Sequence, residues 1–425
     1  MKTKTPLTIL TSRLRCLGVG LAMGTVTLAH GQNMDAKGSE TPLKPLPASL
    51  SLPYICRHPQ PFDYRHRINQ GAPLTNLPRF DPQNPFSVDL RSADASRLDL
   101  RDSAAELEHA NYDSQTIWPP KDRMPPAFDV GRILELGKNP GLGVRVLQAQ
   151  GITGRGIGLG IVDQTLLTRH PEYTERLKWY EEINIENWRP SEMHGPAVAS
   201  IAVGKTVGVA PEADLYYIAI RTFDRLSILH NYAQGVRRLL EVNQHLPKEH
   251  RIRAISLSVG YGPDTVGYED FIGAVNEAEA EGIFVAWCGP NARFPIRGLG
   301  VPPSANRDDF NAYTVPQRFQ SPLQASGSGP LFVPMDSRTT ASFTGVKDYV
   351  FYGPGGVSWT VPYAAGAYAL AAQVAPDITP ERFWSLALKA GHSPPMQGNG
   401  HGIGAGRILD MASLIKALAE KEPIK

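Results

Sequence analysis

Three residues of types that cooperate in nucleophilic catalysis stand in distinctive settings along this chain. Asp163 closes the apolar run Ile157-Gly158-Leu159-Gly160-Ile161-Val162, His194 opens His194-Gly195-Pro196-Ala197-Val198-Ala199, and Ser358 lies within Gly356-Val357-Ser358-Trp359-Thr360. They are separated by 31 and 164 residues. A serine hydroxyl is a poor nucleophile until a positioned base takes its proton, and imidazole is suited to that task near neutral pH. A buried carboxylate then fixes the imidazole tautomer and stabilises its cation. Taken singly, each residue has a bland role: a strand-end turn, a satisfied histidine, a helix N-cap. Taken together they can carry acyl transfer.

That chemistry needs elements to position it. Ser358 precedes the apolar stretch Trp359–Val374, predicted to be a buried helix whose Pro362 fits the first turn, where backbone N–H groups have no intrahelical partner. A serine there meets free N–H groups and the positive end of the helix dipole, both favourable to a developing oxyanion. His194 begins a second predicted helix, with Pro196 in its first turn. The short apolar runs at Ile157–Val162, Leu215–Ile220, Ala254–Leu257 and Ile283–Ala286 alternate with helical patterning at Leu226–Leu246 and Glu269–Glu281. Buried strands alternating with helices predict an α/β fold of three layers, a mainly parallel sheet with helices on both faces. In such sheets ligands gather at the carboxyl ends of the strands, where Asp163 falls.

The segments around Asp163, His194 and Ser358, with Gly208-Val209-Ala210-Pro211 and Pro362-Tyr363-Ala364-Ala365-Gly366, resemble the aspartate, histidine and serine motifs of the subtilases. The chain order Asp, His, Ser separates them from chymotrypsin-like and α/β-hydrolase enzymes, and no Gly-x-Ser-x-Gly elbow surrounds Ser358. The resemblance extends over roughly Gly151 to Ala412. It implies a subtilisin-like fold and a serine endopeptidase, with Ser358 as nucleophile, His194 as base and Asp163 as orienting carboxylate. It also offers Asn291, in Ala286-Trp287-Cys288-Gly289-Pro290-Asn291, as oxyanion donor, although Pro290 adds a residue to the family pattern and Asn is equally a turn former. Ser258-Val259-Gly260 is similar to the family segment that pairs with extended substrate; its alternative is a strand end and a glycine turn. Gln164-Thr165, Ala197 and Tyr363 depart from the family pattern at positions that bear on packing more than mechanism. Two other functions stay open: a non-catalytic relative that binds peptides or a partner, and an esterase, which the peptide-pairing segment disfavours.

Composition sets the remaining expectations. Hydrophobic residues at 42% and charged ones at 20% suit a packed core, and a formal charge of +2 gives no electrostatic case for nucleic acid or an anionic membrane. Polypeptides are the expected partners. No zinc motif or Cys/His cluster appears, so no metal or other cofactor is assigned, and calcium sites are not legible. Gly156, Gly158 and Gly160 precede Asp163 instead of following a strand, which excludes a phosphate loop. Residues 1–31 have the pattern of a signal peptide, with Lys2, Lys4, Arg13 and Arg15 ahead of an apolar stretch and Ala29-His30-Gly31 at its end. Export, to the exterior or a periplasm, is the expectation, and no membrane span. Residues 32–126 read as a Pro-rich extension or propeptide, and 127–425 as the peptidase domain. Within the extension Asp89, Asp94 and Asp99 recur every fifth residue, through chance or a short irregular ladder. Cys56 and Cys288 could pair, but the apolar setting of Cys288 favours a buried thiol. Gly402–Arg407 resembles the glycine-rich segment before the last subtilase helix and has no chemical role.

Overall fold

A computed structural model describes residues 43, 45–47, 49–65, 71–316, 329–394 and 406–420. The signal-like segment 1–31 and residues 402–405 of the glycine-rich segment lie outside these. The extension contributes β1 (Tyr54–Ile55), α1 (Ala104–Leu107) and β2 (Asn111–Asp113). Helices α2 (Val130–Lys138) and α3 (Val144–Ala149) lead to β3 (Gly158–Asp163), β4 (Leu177–Ile183), α4 (His194–Val203), β5 (Asp214–Ile220) and α5 (Ile228–Gln244). Next come β6 (Ile252–Leu257), α6 (Tyr268–Ala280), β7 (Phe284–Trp287), β8 (Ile296–Leu299), β9 (Leu331–Pro334), β10 (Arg338–Ala341) and β11 (Tyr349–Tyr352). The described chain ends with α7 (Thr360–Val374), α8 (Pro380–Ala390), β12 (Arg407–Ile408) and α9 (Met411–Ala419).

Six parallel strands form the main sheet in the order β1-β4-β5-β3-β6-β7. Its central strands are buried on both faces, as their unbroken apolar runs predict. Side chains alternate between the faces. Leu215, Tyr217 and Ala219 join the core beneath α4 and α7, while Tyr216, Ile218 and Ile220 pack under α5 and α6. Burying each such large side chain contributes about 1.5–3 kcal/mol. The expected three-layer α/β architecture is therefore present. On α7, a Cβ on Gly366 would stand 2.8 Å from Val209 Cβ, just beyond α4.

The extension is built into this frame. β1 pairs with β4 at the sheet edge, and Arg57 grips Glu182 with two hydrogen bonds of 2.8 Å. The five-residue period is structural, not chance. Asp89, Asp94 and Asp99 each accept a hydrogen bond from the backbone N–H two residues on, closing successive Asx turns. Leu90, Ala95 and Leu100 point inward and are buried, and their N–H groups bond to the carbonyls of Asn111, Ile117 and Arg123. β2 continues this small core onto β11.

Candidate active site

Asp163 ends β3, at the carboxyl edge of the sheet's centre. Its Oδ1 accepts the Gln164 backbone N–H at 2.7 Å and lies 2.7 Å from His194 Nδ1. Only 1% of the residue is exposed, so the imidazole and that backbone N–H replace water around the carboxylate. A carboxylate only accepts; Nδ1 must therefore donate, which leaves Nε2 with its lone pair. Asp163 Oδ2 is buried with no partner among the described residues.

His194 is the first residue of α4 and 7% exposed. Its backbone N–H has no intrahelical acceptor and donates to Gln164 Oε1 at 3.1 Å, while Gln164 Nε2 donates to Thr222 Oγ1 at 3.1 Å. Gln164 thus braces the histidine, a role its sequence position did not reveal. Gly195 permits the close seat of α4, since a Cβ there would stand 2.6 Å from Gln164 O and 2.8 Å from Thr165 O. Around this loop burial pushes the Glu192 carboxyl up, and Glu192 Oε2 accepts from the Thr165 N–H and hydroxyl. Burial, then the Asp163 charge, raises the Tyr217 hydroxyl, which donates to Gln164 O at 2.5 Å.

Ser358 lies in a short 3-10 turn, Val357–Trp359, that runs directly into α7. It is 5% exposed, and its carbonyl accepts the Ser258 hydroxyl at 2.9 Å. Among the described residues no hydrogen bond joins the Ser358 hydroxyl to His194. The turn is shaped by Gly355, whose N–H donates to Asp336 Oδ1 at 2.7 Å; a Cβ there would fall 2.1 Å from Met335 O. The next residue, Trp359, places its ring centroid 5.2 Å from that of His194. Sequence reading passed over Trp359, although a large aromatic beside a candidate nucleophile was visible.

The other residues marked out in the sequence stand in varied settings. Val259 is paired on both backbone groups, its N–H to Leu257 O at 2.7 Å and its carbonyl to Cys288 N–H at 3.0 Å, while Gly260 beside it is exposed. Asn291 sits in a turn closed by Ala292 N–H to Gly289 O, and its Nδ2 donates to the Tyr268 hydroxyl at 3.0 Å. Tyr268 was not foreseen. Cys56 and Cys288 are both free thiols; burial pushes Cys288 up to about 12. His170 and Glu172, which follow β3, make contacts of their own. His170 Nε2 meets Asp348 O at 3.0 Å, and Glu172 accepts the Tyr349 hydroxyl at 2.6 Å, tying this segment to the hairpin β10–β11. Tyr363 is buried in α7 with its hydroxyl on Gly141 O at 3.3 Å, and Ala197 packs in the core.

A model of the Subtilase family matches residues 154–406. The Subtilisin-like protease PopC of Myxococcus xanthus (strain DK1622) is 30% identical over 131 residues, 28% of this chain and 28% of that protein. The chain therefore matches a little over a quarter of that relative's length. An intracellular serine protease of Paenibacillus polymyxa is 27% identical over 285 residues, 61% of this chain and 83% of that one. Among solved structures, the prenylagaramide maturation protease PagA aligns with a TM-score of 0.47 and 13% identity, covering 66% of this chain and 99% of that one. MycP1 with its N-terminal propeptide removed aligns at 0.42 and 18%, over 64% and 94%.

Proposed function

The chain belongs to the subtilase family of serine peptidases, and we propose that it is an endopeptidase that cuts polypeptides through an acyl-enzyme on Ser358. The observation that carries this reading is the buried 2.7 Å contact between Asp163 and His194 Nδ1 at the sheet's carboxyl edge, with Ser358 at the start of α7. Ser358 Oγ bonds to the scissile carbonyl carbon as its proton passes to His194 Nε2. The C–N bond then breaks, and the amine leaves with that proton. Water repeats the sequence on the ester, again through His194, and restores Ser358. Asp163 stabilises the imidazolium formed at each step. The Ser358 N–H and the Asn291 amide are the proposed oxyanion donors; the latter would have to turn from Tyr268 or use its second N–H. Substrate backbone would pair with Ser258 and Gly260, since Val259 is already engaged.

The Ser358 hydroxyl has no bond to His194 here, and such bonds commonly tighten only when substrate binds. Asn291's bond to Tyr268 favours a second reading, a peptide-binding relative without turnover. A fluorophosphonate probe separates the two: an enzyme is labelled at Ser358, and a silent binder is not. Ser358→Ala should abolish hydrolysis of a peptide substrate while keeping the melting temperature within a few degrees. Appreciable hydrolysis by that variant would end the assignment. For the rest of the chain, the signal-like segment 1–31 supports export. The pairing of β1 and β2 with the peptidase core supports an extension that stays attached from Tyr54 onward.

A further inference from the structure

Trp359 is 4% exposed, yet its indole Nε1 has no acceptor among the described residues. A buried indole N–H ordinarily finds a partner, because leaving it unpaired costs its desolvation. The Tyr352 ring lies 5.1 Å away on one side, and the His194 imidazole 5.2 Å away at an interplanar angle of 32°. Gly355 closes in at the pyrrole edge, where a Cβ would stand 2.8 Å from Trp359 Cδ1. The indole is held among these groups by packing, with its ring close to and tilted against His194.

We propose that Trp359 is a positioning residue for His194: its ring holds the imidazole in line between Asp163 and Ser358 and favours the imidazolium that forms as Ser358 attacks. The inference rests on the triad reading above. An indole within about 6 Å is the best of the aromatic partners for a cation, and the attraction grows where water is excluded. It acts on the imidazolium, which in the proposed mechanism forms only as Ser358 attacks. The benefit therefore appears in kcat and not in KM. Titratable groups near the Asp163–His194 pair include Glu192 two residues ahead of α4, Tyr217 on β5, Tyr232 on α5 and Cys288 beyond β7. Arg338 on β10 turns away to the carbonyls of Asn139 and Val207.

Two measurements test this. In a Ser358→Ala background, which prevents self-digestion, Trp359 fluorescence is taken as the difference between that protein and its Trp359→Phe counterpart. The difference should change with pH, through quenching by the imidazolium, and His194→Gln should abolish the change. A difference signal flat with pH, or unchanged by His194→Gln, overturns the inference. With Ser358 restored, Trp359→Leu should lower kcat about fivefold to thirtyfold with KM within twofold, while Trp359→Phe recovers most of the loss. A folded Leu variant with kcat within twofold of the parent also overturns it. Should Trp359→Leu fail to fold, the fluorescence titration still decides. Failure of the triad reading would appear separately, as activity in Ser358→Ala itself.

Discussion

Replacing Asp163 by Asn tests the centre of the site with one atom changed. The carboxylate oxygen and His194 Nδ1 are 2.7 Å apart, which sets the two charge centres at about 4 Å once the imidazole is protonated. At an effective permittivity of about 20 that attraction is worth about 4 kcal/mol, and losing it from the transition state lowers kcat by about 10³. The hydrogen bonds determine which way the new amide turns. Oδ1 accepts from two N–H groups and Oδ2 from none among the described residues. The Asn oxygen therefore keeps the Oδ1 place and the amino group takes the empty one, preserving the imidazole tautomer. In the reverse orientation the amino group would face two donors, Nδ1 would have to accept, and Nε2 would carry the proton. The loss would then approach about 10⁴. Steady-state kinetics on a fluorogenic peptide should thus show kcat down by about 10³–10⁴ with KM nearly unchanged. A thermal melt confirms folding; a buried amino group without an acceptor costs about 1–3 kcal/mol. A well-folded Asp163→Asn protein losing less than about tenfold would refute the orienting role of this carboxylate.

Two further outcomes follow from particular contacts. Gly355→Ala drives a Cβ to 2.1 Å from the fixed carbonyl of Met335, so the turn carrying Ser358 must shift; kcat/KM should fall at least about 10²-fold, as a displacement near 1 Å suffices, and an unchanged value would show that the turn does not need a bare backbone there. Burial holds the His170 imidazole below its usual range, so unfolding takes up a proton at this site once pH drops beneath the unfolded value of about 6.5. Its contribution to stability is present above that pH and is lost as pH falls through the folded value, so the melting temperature of His170→Gln should vary less than wild type between pH 7 and 5; identical pH dependence in the two would exclude the histidine.

Much of the fold could be read from the chain because burial leaves a strong pattern. β3, β5 and β6 sit within the sheet and β7 at its far edge, yet all four are largely buried and marked by short apolar runs. α5 and α6 each expose one side and carry helical periodicity. β4 escaped because Leu177-Lys178-Trp179-Tyr180-Glu181-Glu182-Ile183 lies beside the edge, where Glu181 and Glu182 reach Arg238 and Arg57. The strand that pairs with its outer side at Trp179 and Tyr180, β1, is two residues long and 125 positions away, too little for any local signal. The recurring aspartates were visible as a period, yet their meaning depended on carbonyls at Asn111, Ile117 and Arg123 that no spacing announces. Asp163, His194 and Ser358 were legible through their motifs. Gln164 and Trp359 were not, because their parts depend on which side chain meets which after folding.

The pairing of β1 with β4 also bears on how copies of the chain could associate. Without Tyr54–Ile55, the seven-residue β4 would present a row of unpaired N–H and C=O groups along the sheet margin. Such a margin is a template for a strand from another copy. Covered by a strand only two residues long, it instead offers the outside a stub too short to recruit one. Trimming the chain to residue 126 would remove that cover along with β2, so the shortened protein should gain a tendency to associate edge to edge even where its catalytic residues are intact.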